Sequence, residues 1–318
     1  MEAFSTLAAV QTPEAWQDAM RSALIGKGFF QPVGDLHTAM HLRQGRTLLV
    51  AFDWREAALA RAPSRLPLGL PAALERGWSY LGLVSDRHDW FRDGALHAFF
   101  DHMTDDDFFD EFDSVLFLGI GSCGYAACAY SVVAPGARVL AVGPQATLAR
   151  NTTEWDNRFP EARRMNFTDR YGYAPEMIEA ADAMLLLYDP TVAEDAMHAA
   201  QFTGEHVTKL RCRHMAGTLP GMFAGTDLLG RMLDALRGGR TSRAGFAALM
   251  RTRHDHRPYL RQFTRRVGRN ERPDLLARCT AAILARHDDR FIRKFHDAAL
   301  RKLHSEETDA RPWQAAAL

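Results

Sequence analysis

Three residues of the sequence have the types that a nucleophilic relay requires: Ser122, Asp189 and His214. Each follows a segment that is predicted to form a strand, and for Ser122 and Asp189 that segment is apolar, so all three are expected at strand ends. In such a relay a neutral imidazole takes the proton of a serine hydroxyl, and a carboxylate orients the imidazole. The chain order is nucleophile, acid, base, and the chemistry it would support is ester hydrolysis or acyl transfer.

The segment 114–127 is the most informative stretch of the chain. A short apolar run, Gly-rich residues and then small helix formers predict a buried strand, a sharp turn and a helix. A side chain at that turn would lie at the helix N-terminus, where backbone N–H groups and the helix dipole favour developing negative charge. This segment is therefore the expected site of any chemistry.

Two registers of the pattern Gly-x-Ser-x-Gly fit this turn, and they differ in consequence. Counting from Gly119 places the nucleophile position at Gly121, which is the better steric fit but supplies no nucleophile. Placing it at Ser122 keeps Gly124 two positions on but puts Ile120 where a small residue is wanted. Both registers stay open at this point.

Further alternatives also remain. Cys123 gives a third register and a second candidate nucleophile, although bulky Tyr125 follows it at the position where a small residue is preferred. A turn without chemistry is the fourth, in which Ser122 only caps the helix through its hydroxyl.

If Ser122 is active, His214 would serve as its base and Asp189 would orient the ring, with Asp195 as a spare acid. Backbone N–H groups of residues 52–53 would help to form an oxyanion hole. No cofactor or metal is part of this hypothesis.

Strand-like and helix-like segments alternate from about residue 79 to residue 211. This alternation predicts a parallel sheet covered by helices on both faces, with ligands bound at the carboxyl ends of its strands. Upstream, the segments 36–42 and 47–52 predict two strands joined as a hairpin by Gln44 and Gly45.

The composition is that of a globular protein with a sizeable core. Of the 318 residues, 47% are hydrophobic and 25% charged, and the formal net charge is zero, which gives no overall attraction to nucleic acid. No apolar stretch approaches the roughly 20 residues of a membrane helix, and the N-terminus lacks the pattern of a signal peptide. Four cysteines without C-x-x-C spacing favour a reducing compartment, so we expect a cytoplasmic protein.

Several motifs together resemble a group of bacterial α/β-hydrolase-fold proteins. They are the segment around Gly121, the run 143–148 (Gly-Pro-Gln-Ala-Thr-Leu), the element 155–159 (Trp-Asp-Asn-Arg-Phe), Tyr188-Asp189-Pro190, and the loop 86–92. The resemblance covers about residues 30–235. It implies an α/β-hydrolase-like, mostly parallel sheet flanked by helices.

The sequence departs from the active members of that group at two positions. Their serine position falls on Gly121 and their histidine position falls on Thr218. The resemblance therefore predicts a degenerate catalytic site, a former active-site cleft that binds a small molecule or a protein partner. Some proteins of the group carry the name phosphoadenosine phosphosulfate reductase, but the phosphate loop and the Glu-Cys-Gly motif of that chemistry are absent from this sequence.

Two charged regions lie outside the candidate site. The run 105–113 interleaves five Asp and one Glu with three Phe, and its spacing favours a solvated acidic face over a metal site. The segment 241–303 holds 16 Lys or Arg against 6 Asp or Glu and predicts amphipathic helices. Because no recognition-helix signature accompanies this charge, a basic helical subdomain is favoured over nucleic-acid binding.

These observations predict four regions and leave the ligand and the oligomeric state open. The regions are an N-terminal helix (1–29), the α/β-hydrolase-like domain (30–235), a basic helical C-terminal subdomain (236–304) and a flexible tail (305–318).

Overall fold

The computed structural model describes residues 2–61, 63–225, 227–239 and 243–310. The strands in these ranges are β1 (Gly28–Val33), β2 (His37–Leu42), β3 (Thr47–Trp54), β4 (Ser79–Ser85), β5 (Ser114–Ile120), β6 (Arg138–Val142), β7 (Ala183–Tyr188) and β8 (Val207–Arg211). The α-helices are α1 (Pro13–Leu24), α2 (Arg55–Ala60), α3 (Leu70–Arg76), α4 (Gly94–Asp105), α5 (Ser122–Ala129), α6 (Arg150–Thr153), α7 (Ala174–Met177), α8 (Ala193–Gln201), α9 (Leu219–Gly225), α10 (Leu228–Arg237), α11 (Arg243–Leu249), α12 (Arg257–Gly268), α13 (Pro273–Leu284) and α14 (Arg290–Ala310).

The strands form one sheet in the order β1-β2-β4-β3-β5-β6-β7-β8. The pairs β1–β2 and β2–β4 are antiparallel, and every other neighbouring pair is parallel. Helices connect the parallel strands, and the central strands are buried along almost their whole length, as expected where helices cover both faces. The predicted fold class, an α/β-hydrolase-like and mostly parallel sheet flanked by helices, is confirmed.

The predicted hairpin of the first two sequence-derived strands is wrong. β2 and β3 do not pair with each other, because β4 lies between them and pairs with both. The sequence pattern also missed β1, an edge strand that contains Pro32 and is largely exposed. Proline is tolerated there because it needs to donate no ladder hydrogen bond on the open side.

A connection of 40 residues, 143–182, joins β6 to β7 and is tied to the loop that follows β4. Arg92 in that loop donates hydrogen bonds from Nε to the carbonyl oxygen of Asn166 and from Nη1 to that of Arg170, both at 2.9 Å. The ring of Trp90 packs edge-on against Phe159, with ring centroids 4.9 Å apart. These contacts explain why an aromatic and basic loop follows β4.

The acidic run predicted as a solvated face contains a short 3₁₀ helix, Phe108–Glu111. Phe109 is buried in the core, while the carboxylates of Glu111 and Asp113 lie on the surface beside Arg43 and Arg46. Within the described ranges, no group of three or more His, Cys, Asp or Glu side chains is arranged to hold a metal ion.

The chain forms two compact units, Met1–Leu249 and Met250–Leu318. The second unit contains α12, α13 and α14, and the helical C-terminal region predicted from the sequence is present. Part of its basic charge is paired internally, as in the 2.9 Å contact between Arg261 Nε and Asp289 Oδ2.

Of the predicted tail, residues 305–310 belong to α14, and residues 311–318 lie outside the described residues. None of the helices in the described ranges combines the length and the hydropathy that a bilayer-crossing segment requires.

Candidate functional site

Gly121 lies at the apex of the turn between β5 and α5. Its backbone angles are φ 62° and ψ −126°, a region that L-residues with side chains adopt only under strain. Its N–H donates a hydrogen bond to the carbonyl oxygen of Val142 at 2.8 Å, and its own carbonyl oxygen accepts one from the N–H of Tyr125 at 2.9 Å. A Cβ atom at this position would find no atom within 4 Å, so the space beside the turn is open.

Gly119 shows why the turn is so tight. A Cβ atom there would lie 1.9 Å from the carbonyl oxygen of Cys123, so the end of the strand and the first turn of the helix leave no room for a side chain at this position. Gly124 is also close to the strand, because its Cβ would lie 3.2 Å from the carbonyl oxygen of Gly119. The glycines at 119, 121 and 124 therefore have different physical roles, and only Gly121 faces open space.

Ser122 is the first residue of α5 and is half-buried. Its hydroxyl has no hydrogen-bond partner among the residues that the structure describes, so it does not cap the helix as one of the sequence alternatives proposed. Ser122 thus occupies the first helical turn, one residue past the strained position.

Asp189 directly follows β7 and is buried, with 4% of its surface exposed. One carboxylate oxygen accepts hydrogen bonds from the N–H and the hydroxyl of Thr191 at 2.9 and 2.7 Å. The other oxygen accepts from the backbone N–H groups of Met215 and Ala216 at 2.9 and 3.0 Å. Burial by itself would raise the pKa of this carboxyl, but these hydrogen bonds outweigh it and hold the pKa below its usual value.

His214 lies three residues past β8, in a left-handed conformation with φ 63°. Its backbone N–H, like those of Met215 and Ala216, is directed towards Asp189 and contributes to lowering the pKa of that carboxyl. The loop around His214 is therefore bound to Asp189 through its backbone.

Thr218, on which the histidine position of the resembled group falls, is buried just before α9. Its hydroxyl donates a hydrogen bond to the carbonyl oxygen of Met215 at 3.0 Å, and its N–H donates to the same oxygen at 2.9 Å. Thr218 therefore closes the turn that leads into α9.

The sheet order determines the distances between the strand ends that the three predicted site residues follow. Ser122, Asp189 and His214 follow β5, β7 and β8, so they lie at the same carboxyl edge of the sheet. Neighbouring strands are about 4.8 Å apart, which separates the ends of β5 and β7 by roughly 10 Å and those of β5 and β8 by roughly 14 Å.

The structure reveals a buried ion pair at the end of β3 that the sequence pattern does not predict. Asp53 accepts hydrogen bonds from both terminal nitrogens of Arg61, with Nη2 to Oδ1 at 2.8 Å, and from the N–H groups of Leu68 and Trp54. Burial would lower the pKa of Arg61, but its hydrogen bond with Asp53 outweighs this and raises the pKa. An acidic residue at the end of the apolar run 47–52 was the only sequence signal of this pair.

Residues 52–53, predicted to help form an oxyanion hole, lie in β3 just beyond its last pairing with β5, between Ala51 and Leu118. They are paired on the other side with β4. The carboxylate of Asp53 accepts hydrogen bonds from Arg61, and the N–H of Trp54 donates a hydrogen bond to the same carboxylate.

Cys123 is fully enclosed behind the turn. Burial raises the pKa of its thiol well above the ordinary value, and the nearby negative charge of Asp53 adds to this effect. Because a thiolate is the reactive form of cysteine, the structure gives no chemical support to the Cys123 alternative.

The element 155–159 has a structural role in the described fold. His198 and Asp156 are both fully buried, with His198 Nε2 2.9 Å from Asp156 Oδ2. His198 Nδ1 accepts a hydrogen bond from the N–H of Ala146 at 3.1 Å, so Nε2 carries the proton that is donated to Asp156. Arg158 binds Asp156 through two nitrogens and reaches Asp195 at 2.7 Å. Asp195, the predicted spare acid, is therefore one end of this network.

A cavity of about 480 Å³ lies beside the turn. Its walls are mostly apolar and include Leu66, Leu68, Ile120, Phe223 and Leu229, with Arg61 as a polar group. The cavity lies near the carboxyl ends of β3 and β5, where the connections diverge towards β4 on one side and β6 on the other. Ligands of open α/β sheets bind at such switch points, and the cavity has the size of a small-molecule site.

No protein-family model matches the sequence, and no curated protein matches it. Solved structures with similar folds include carboxyl esterase 2 of the fungus Tuber melanosporum, 12% identical over 66% of this chain and 86% of that chain, with a TM-score of 0.43. The Gap123 glycosylation-associated protein complex of Streptococcus agalactiae is 14% identical over 68% of this chain and 48% of that chain, with a TM-score of 0.42. Alpha/beta hydrolase domain-containing protein 10 from mouse is 11% identical over 67% and 98%, with a TM-score of 0.40. The fold class stated above rests on the strand order and the connections of this chain itself.

Proposed function

We propose that this chain is a non-catalytic protein of α/β-hydrolase-like fold that binds a small molecule in the cavity beside the β5–α5 turn. The observation that carries the proposal is Gly121. It has the strained backbone conformation at the apex of the turn, where a nucleophile would be presented, and it has no side chain.

The hydrogen bonds of Asp189 support the same conclusion. A carboxylate offers about four lone-pair positions, and Asp189 already accepts four hydrogen bonds from Thr191, Met215 and Ala216, with the backbone N–H of His214 also directed towards it. An imidazole could be oriented by Asp189 only after one of these donors had been displaced. We infer that Asp189 holds the loop after β8 in place.

Thr218 supports it as well. A threonine hydroxyl does not act as a general base near neutral pH, and this hydroxyl is already bound to the carbonyl oxygen of Met215. Of the three positions that a hydrolase needs, the nucleophile position then has no side chain, and the side chains at the acid and base positions are bound to the backbone.

The alternative function is a serine ester hydrolase or acyltransferase that uses Ser122 with His214 and Asp189. One observation favours it: the hydroxyl of Ser122 lies in the first turn of α5 and has no partner among the described residues. The alternative requires the ring of His214 to approach that hydroxyl.

The experiment that separates the two functions is hydrolysis of p-nitrophenyl esters of graded acyl length by the wild type and by Ser122→Ala. We expect the two proteins to give the same slow release of p-nitrophenol. Multiple turnovers in the wild type that disappear in Ser122→Ala would overturn the proposal in favour of the serine hydrolase. Circular dichroism of both proteins controls for folding.

A further inference from the structure

We propose that the cavity selects an uncharged, largely apolar carbonyl compound, such as an ester or an amide, and that Arg61 is the residue that recognises its carbonyl oxygen. This inference rests on the proposed function, because it names the class of ligand for the same cavity. It assigns recognition to a side chain after β3 instead of to backbone groups at the turn.

The first argument is the number of hydrogen-bond donors that Arg61 keeps available. A guanidinium group has five N–H donors. Two of them bind Asp53, and a third points to the carbonyl oxygen of Leu66 at 3.5 Å. The remaining two, on Nε and Nη2, have no partner in the described part of the chain. Arg61 lines the cavity and its side chain is 22% exposed, so we infer that these two donors are the ones a ligand would meet.

The second argument is the rest of the cavity wall. Apart from Arg61 and Ser64, which is exposed on the outer side, the lining side chains include those of Leu66, Leu68, Ile120 and Phe223, which offer no hydrogen bonds. A ligand that fills this space buries apolar surface, and it gains if its one acceptor group faces Arg61. An acyl chain that carries a single carbonyl group has this distribution of polar and apolar atoms.

The third argument is charge, and it decides between a neutral carbonyl group and a carboxylate. The charge of Arg61 is already balanced by Asp53, so a ligand carboxylate would be a second anion beside one cation. A buried anion without its own counter-charge is strongly disfavoured. A neutral carbonyl oxygen accepts the same two hydrogen bonds without that cost.

The outer part of the cavity also favours a neutral ligand over an anionic one. Glu75 and Asp227 line it, and their side chains are 54% and 58% exposed. The neighbouring cation is Arg76, which is within 3.4 Å of carboxylate oxygens of Glu75, Asp227 and Asp234. One guanidinium among three carboxylates leaves this region negative, which disfavours an anionic ligand.

The test measures binding of methyl octanoate and of octanoate to the full-length protein by titration NMR, with a ¹³C label on each carbonyl carbon. It is carried out in Ser122→Ala as well as in the wild type, so that turnover at Ser122 cannot be mistaken for weak binding. We expect methyl octanoate to bind at least about tenfold more tightly than octanoate. We also expect its carbonyl ¹³C resonance to move downfield on binding, as a hydrogen-bonded carbonyl does.

Two variants locate the ligand. Arg61→Lys keeps a cation beside Asp53 but lacks the planar set of donors, and it should weaken ester binding about tenfold and reduce the ¹³C shift. Ser64→Trp places a bulky ring at an exposed lining position and should abolish binding. Ser22→Trp, at an exposed position on α1 away from the cavity lining, is the matched control and should bind as the wild type does. Thermal denaturation confirms that each variant is folded.

Three results would overturn the inference. They are octanoate binding as tightly as the ester, Arg61→Lys binding the ester as the wild type does, and folded protein that binds neither compound. Hydrolysis of the ester by the wild type but not by Ser122→Ala would instead overturn the proposed function, and the binding preference measured in Ser122→Ala would remain a separate result.

Discussion

The N–H of Ala216 donates a hydrogen bond to Asp189 Oδ2 at 3.0 Å, and this contact connects the end of β7 to the loop after β8. The same oxygen binds the N–H of Met215, and Thr191 occupies the other oxygen. The aspartate that follows β7 thus fixes the backbone of the loop after β8.

This relationship predicts that Asp189→Asn destabilises the fold. The amide group of asparagine would direct N–H donors at backbone N–H groups, so we expect a loss of about 1–3 kcal/mol in the free energy of unfolding. The pKa of Asp189 is lowered in the folded protein, so its stabilising effect is present at neutral pH and is lost as the pH falls below the ordinary value and through the folded value.

Urea denaturation between pH 7 and pH 3 measures both effects. The Asp189→Asn variant should lose less stability on acidification than the wild type, whereas Asp105→Asn, at an exposed position, serves as the control. Equal stability of wild type and Asp189→Asn at pH 7 would contradict the role given to the carboxylate.

The turn predicts different costs for alanine at two of its glycines. Gly121→Ala has room for the new Cβ, so only the strained backbone conformation should lower the free energy of unfolding, by about 1–3 kcal/mol. Gly119→Ala would place its Cβ 1.9 Å from the carbonyl oxygen of Cys123, so the strand and the helix would have to separate. Expression and urea denaturation of both variants should show that Gly119→Ala is the more damaging change, and the reverse order would disprove the assigned geometry.

The buried network of Asp156 predicts a large effect of removing its charged partner. Arg158→Met leaves the fully buried carboxylate with His198 as its remaining side-chain partner, and we expect a loss of about 3–5 kcal/mol. Asp195→Asn is the matched control, because Arg158 then still binds Asp156. If thermal denaturation gave the same midpoint for both variants, the network would not have the structural importance described here.

The environment of His41 predicts a separate dependence of stability on pH. Burial beside the rings of Phe29, Phe108 and Phe112 lowers the pKa of His41 from 6.5 to about 4. Between these two values the unfolded chain binds a proton that the folded chain does not, so stability falls as the pH decreases from about 6.5 to about 4. The free energy of unfolding should fall by up to about 3 kcal/mol over this pH range.

His41→Phe tests this prediction, since it keeps a ring in the cluster and removes the titrating group. Urea denaturation at pH 7 and pH 4.5 should give a smaller difference for the variant than for the wild type. An unchanged difference would mean that His41 is not responsible for it.

The sequence predicted the parallel half of the sheet well, because its strands from β3 to β7 are nearly continuous apolar runs that helices follow. It failed at β1, whose exposed edge position and Pro32 hide the pattern, and at the pairing of β2 and β3. A local turn signal at Gln44 and Gly45 could not reveal that β4, which begins 34 residues after Gly45, would lie between β2 and β3.

The candidate site was predictable only in part, and the reason is physical. The positions of Ser122, Asp189 and His214 at strand ends follow from the alternation of elements. Three of the four hydrogen bonds that Asp189 accepts at the distances given above come from backbone N–H groups, which every sequence contains. The pair of Asp53 and Arg61 depends on a side chain reaching back over the end of β3, for which no sequence pattern exists.

The most direct test of the central claim, that the turn presents no activated nucleophile, is fluorophosphonate labelling of the purified protein. Intact and peptide mass spectrometry of the wild type and of Ser122→Ala would read the result. Our account predicts that neither protein gains the mass of the probe while both remain folded. Stoichiometric labelling that maps to Ser122 and disappears in Ser122→Ala would contradict it.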